Sequence, residues 1–71
     1  MDKEEKIKLF ENSILMLTRM KNDISMARQP LEQAGLAYIK IASINLEATV
    51  AQTIQDLEAE LKDLRESDGN N

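Results

Sequence analysis

The stretch LAYIKIASINLEATVAQTIQDLEAELKDL, residues 36–64, decides the fold. It contains neither glycine nor proline, and its apolar residues recur three and four positions apart, the spacing of one long helix. Laid out at about 100° per residue, Leu36, Ile39, Leu46, Val50, Ile54, Leu57, Leu61 and Leu64 fall within one quadrant. Ile54, Leu57, Leu61 and Leu64 alternate the two spacings and read as a short coiled-coil seam. Opposite them lie Ala37, Ile41, Ile44, Ala48 and Ala51; past Ala51 the same sector turns polar, with Gln55 and Lys62. A surface helix carries one apolar stripe and a polar back. Two stripes require two neighbours, and a chain this short supplies only one.

The second stripe differs in kind. Its alanines let a neighbouring helix axis approach closely. Helix propensity alone accounts for an isolated Ala48 or Ala51, but not for Ile41 and Ile44 between the alanines. Ala37, Ile41, Ile44, Ala48 and Ala51 are therefore the expected oligomer interface.

Upstream, Asp2 is placed to cap a first helix, with Glu4 and Glu5 in the first turn, where the helix dipole favours them. Ile7, Phe10, Ile14, Leu17 and Ile24 form its stripe, widened by Leu9, Met16, Met20 and Ala27. Arg28-Gln29-Pro30 is the strongest break, because proline lacks the backbone donor and disfavours helix at the residue before it. The expected organisation is one domain over residues 1–66: a helix over about 2–27, a turn at 28–30 and a helix over about 31–66, followed by a disordered polar tail at 67–71. The second helix would then outrun the first by roughly two turns. Two other connections fit the same residues. Pro30 either kinks a single helix, or the connection reaches Gly35 with residues 30–34 as a short helical turn.

With 71 residues the chain is one domain. A core of that size rarely supplies more than about 3–5 kcal/mol, and small chains add disulfides, a metal or a partner. Cysteine and histidine are both absent, which removes disulfides and the usual zinc ligands. Association, or unusually good helix packing, is what remains. The expected fold is all-α, a helical hairpin of two long antiparallel helices pairing into a dimeric four-helix bundle. No apolar run reaches the roughly 18 residues of a membrane span, no signal-type segment follows MDKEEKIK, and a soluble, cytoplasmic protein is expected.

Catalysis has few groups to draw on without histidine or cysteine. Asp56, Glu58, Glu60, Asp63 and Glu66 scatter around the helix and pair with Lys62 and Arg65 as a solvated surface. No catalytic residue, metal site or cofactor is expected. Arg19, Lys21, Arg28 and Lys40 lie toward the turn of the hairpin. They either flank the seam with their heads in water, or form, when multiplied by symmetry, a patch for an anion. On the first reading, Arg28→Glu with Lys21→Glu leaves the fold nearly unchanged, since surface pairs contribute about 0–1 kcal/mol. The functional expectation is a non-enzymatic protein–protein interaction module, a small homo-oligomeric adaptor, inhibitor or assembly factor that also binds a second protein. The alternative is an oligomer that binds nucleic acid or sequesters a small anionic ligand.

Overall fold

Asp2 starts the first helix. Its carboxylate accepts from the Glu5 backbone N–H at 2.8 Å, and Glu4 and Glu5 occupy the first turn. The computed structural model describes residues 1–67, which form two helices, α1 over Lys3–Gln33 and α2 over Ala37–Glu66. They pack against each other as a hairpin measuring 56 × 15 × 14 Å, with no strand among the described residues.

The turn lies later than the sequence suggested. Helix α1 runs through residues 28–30 and ends at Gln33. The chain reverses at Ala34-Gly35-Leu36, where Gly35 takes a φ of +80°. The Leu36 N–H donates to the Leu31 carbonyl at 3.1 Å and the Gly35 N–H to the Glu32 carbonyl at 3.0 Å. Those two bonds satisfy the last carbonyls of α1 in a Schellman motif, which requires a left-handed residue at the glycine position. Pro30 removes only one donor, the one that would face the Met26 carbonyl. Met26 is 73% exposed and Pro30 is exposed too, so the proline ring lies on the outer side of the hairpin. Helix α1 contains Pro30 and continues one turn beyond the break that proline suggested, to Gln33.

Moving the turn equalises the helices. Lys3 Nζ reaches the Arg65 carbonyl at 3.5 Å, and Arg65 pairs with Glu11, so the open ends meet and α2 does not project. Ser67, expected in the tail, caps α2 instead: its N–H donates to the Asp63 carbonyl and its hydroxyl to the Leu64 carbonyl at 2.8 Å. Residues 68–71 of that expected tail lie outside the described residues.

Burial along α1 falls on Lys3, Ile7, Phe10, Ile14, Leu17, Lys21, Ile24, Arg28 and Leu31, spacings of four and three throughout. Along α2 it falls on Leu36, Lys40, Ser43, Glu47, Val50, Ile54, Leu57, Leu61 and Leu64, with Ile39 and Ala51 beside them. These are the seam positions of an antiparallel coiled coil. Arg28 Nε donates to Ser43 Oγ at 3.1 Å, which fixes the register. Carried along both heptads, it sets Leu17 against Ile54, Ile14 against Leu57, Phe10 against Leu61 and Ile7 against Leu64. Toward the turn the partners become Lys21 with Val50, Ile24 with Glu47, Arg28 with Ser43 and Leu31 with Lys40.

The seam therefore has a dry half at the open end and a polar half at the turn. Leu46, expected on the inner face, is 51% exposed, and Ser43 and Glu47 stand in the seam on either side of it. A straight 3.6-residue helix drifts about 20° per heptad from a 3.5-residue seam. From Leu64 back to Leu46 that drift moves the leucine off the contact.

Gly35→Ala should lower stability by about 1–2 kcal/mol, the cost of a Cβ in the left-handed region. An added Cβ meets nothing within 4 Å, so the loss is conformational alone. Pro30→Ala should leave stability equal or raise it, because it restores a helical donor. Urea denaturation of both variants checks the pair; a large loss from Pro30→Ala would return the turn to residues 28–30.

Candidate interaction surfaces

The polar half of the seam is built around Arg28. Its guanidinium bonds Ser43 and pairs with Glu47, and the Ser43 hydroxyl in turn donates to the Lys40 carbonyl at 2.8 Å. The Arg28 and Glu47 side chains retain 20% and 24% of their exposure, so the pair is shielded from most of the solvent. This differs from the expectation that Arg28 sits at the margin with its head in water. Heptad spacing places it in the contact, because position 28 falls four residues after Ile24. The reversal Arg28→Glu is consequently a disruptive change and not a neutral one.

The expected basic group divides. Lys21 and Arg28 share one groove with Ile44, Glu47, Ala48 and Ala51. Arg19 lines a different groove, with Met16, Met20, Asp23, Ile24 and Ala27. Lys40 Nζ lies 3.2 Å from Glu32, an exposed pair that staples the two sides of the turn. Two of the four cations thus face carboxylates of their own chain. Among the described residues no group of carboxylates gathers to hold a metal, and no helix is long and apolar enough to cross a membrane.

The apolar residues displaced from the polar half of the seam face outward. Ile41 is 61% exposed and Ile44 43%; Ala37 and Ala48 are exposed, and Ala51 is half-buried against the groove. Ile54, Leu57 and Leu64 line the seam half-buried, and Leu61 is buried there. Tyr38 is exposed on the outer side of α2, as are Asn45 and Thr49, whose hydroxyl donates to the Asn45 carbonyl.

A second apolar strip runs along α1, where Leu9, Met16 and Met20 are all about half exposed or more. With Phe10, Ser13, Leu17 and Leu57 they line a groove of about 620 Å³. The strips lie on opposite sides of the hairpin. Ala37, Ile44 and Ala51 each follow a seam residue of α2, whereas Ser13, Met20 and Ala27 each precede a seam residue of α1. In an antiparallel pair those two flanks point to opposite sides. The sequence indicated a wide stripe on α1 but not its side, which depends on the register.

Nothing among known families, curated proteins or solved structures matches this chain.

Arg28→Glu should destabilise the hairpin by about 2 kcal/mol, within the range for bonds to charged groups. Arg28→Leu together with Glu47→Leu should restore or exceed the original stability, since shielded ion pairs are often replaceable by apolar pairs. Thermal melts at one fixed protein concentration test both, and equal melting of the wild type and Arg28→Glu would put the guanidinium back in water.

Proposed function

We propose that the chain is a non-enzymatic protein–protein interaction module, an adaptor, inhibitor or assembly factor that works by docking helix on helix. The observation that carries this is the pair of exposed apolar strips on opposite sides of one hairpin. Soluble chains scatter single apolar residues over their surface, but a continuous strip marks a contact. The Ile44 strip is read as the homo-oligomer interface and the Met16 strip as the surface for a second protein. Methionine suits the latter role, because its flexible, polarisable side chain adapts to different partners. No catalytic residue, metal or cofactor enters this reading.

Binding of nucleic acid or a small anion is the lesser reading. Arg28 and Lys40 already face Glu47 and Glu32, and the net charge of −4 opposes a polyanion. Anion binding would weaken steeply as salt is added, whereas apolar docking would not.

Ala48→Glu is the direct test of the oligomer. A carboxylate there costs at least the roughly 1–3 kcal/mol of overpacking per copy, and a symmetric contact suffers it twice. Dimer affinity should fall by a factor of about 30 or more. Gln55→Glu, further along the same sector where the apolar strip has ended, should leave association unchanged. Sedimentation equilibrium of the three proteins measures this. A monomeric wild type, with Ala48→Glu equally stable, would sink the oligomer reading.

A further inference from the structure

The Ile44 strip has a pattern of its own. Its members, Ala37, Ile41, Ile44, Ala48 and Ala51, are spaced four, three, four, three. Read in either direction from Ile44, the strip offers nearly the same positions. Laid antiparallel on a copy of itself about Ile44, it sets Ala37 against Ala51 and Ile41 against Ala48, with Ile44 meeting its own counterpart. Each large residue off the centre thereby meets a small one. A parallel arrangement would stack Ile41 on Ile41 and leave alanine on alanine at Ala37, Ala48 and Ala51.

We propose that the second copy of this chain covers the Ile44 strip in antiparallel orientation, through a two-fold axis at Ile44, so that the hairpins overlap only by their turn halves. The inference rests on the oligomer reading above and specifies its geometry. A two-fold contact must be self-complementary, and the near-palindrome of the strip provides that.

Two further observations point to this occupant. Ile41, 61% exposed, comes in this arrangement to the position of Ala48 on the other copy. There a groove of about 270 Å³ is open, lined by Lys21, Arg28, Ile44, Glu47, Ala48 and Ala51. Ile41 is a knob and that groove its hole.

Charge selects the same orientation. Residues 1–11 carry three basic and four acidic side chains and residues 53–71 two basic and six acidic, so the open end has a net charge of −5. Residues 12–52 carry four basic and three acidic side chains, net +1. A parallel dimer brings two such acidic ends side by side. The antiparallel one sends them to opposite extremes and joins the two mildly basic halves, whose cations Arg28 and Lys40 are already neutralised within each copy.

The absence of native cysteine makes disulfide trapping clean. Full-length Ala37→Cys, Ile44→Cys and Ala51→Cys are made singly, with Ala59→Cys as an outward-facing control, and each is checked for helicity by circular dichroism. On mild oxidation Ile44→Cys should link to itself. Ala37→Cys should link to Ala51→Cys when the two are mixed, and neither should link to itself; Ala59→Cys should stay unlinked. Small-angle scattering of the wild type should give a dimer about 85 Å long, against 56 Å for one hairpin. A dimer of near-hairpin length in which Ala37→Cys links to itself overturns the antiparallel geometry and leaves the oligomer reading standing. A dimer with no link at any of the three positions also overturns it, because its contact lies elsewhere. A wild-type monomer overturns both.

Discussion

Two helices cannot enclose a volume. Any side chain between them keeps an edge toward water on one side of the seam or the other. Of the described residues only Val50 and Leu61 fall below a tenth of their free exposure, at 6% and 7%, and no side chain is fully enclosed. This limit governs the rest of the molecule. It makes the hairpin long, because each further layer of the seam adds only a partly covered pair. It also lets lysine, arginine and glutamate enter the seam, where Arg28 and Glu47 keep 20% and 24% of their exposure and satisfy each other.

The two halves answer the limit differently. At the open end, Ile7, Phe10, Ile14 and Leu17 meet Ile54, Leu57, Leu61 and Leu64, and the apolar surface lies between the helices. At the turn, Arg28, Ser43 and Glu47 occupy the seam, while Ile41, Ile44 and Leu46 look outward. In that half the apolar surface of α2 is arranged inside out relative to α1. Such a region opens locally at lower free energy than a dry one. The docking reading follows from this inversion, since the least self-sufficient half of the hairpin also carries the strip on which a second chain would bring most gain.

The periodicity of the sequence made the all-helical hairpin legible, and Asp2 marked its beginning correctly. The place of the turn was harder to read. Pro30 is the more conspicuous residue, yet it lies on the outer side and α1 continues through it to Gln33. Gly35 is the residue whose backbone conformation closes the helix. Leu46 was misplaced for a reason of geometry: a straight-helix projection accumulates error over several heptads, and the supercoiled seam does not follow it. Arg28 shows the same limit from the other side. Its charge suggested a margin, whereas its spacing from Ile24 put it in the contact. The opposed apolar strips depend on the register of α1 against α2, and no single helix, projected alone, contains that information.

The polar layer at Arg28 has a consequence for alternative pairings. A heptad repeat looks alike when one helix slides by seven residues, so apolar layers alone discriminate weakly between slipped alignments. Sliding in one direction would bring Arg28 opposite Val50 and Glu47 opposite Leu31. Sliding in the other would bring Arg28 opposite Leu36 and Glu47 opposite Leu17. The second slip puts three layers between Arg28 and Glu47 and leaves the guanidinium facing hydrocarbon, whereas the first keeps the two charges in neighbouring layers. The Arg28–Glu47 pair thus sets the native alignment apart from one of its two slipped competitors, and the fixed length of the turn is left to exclude the other.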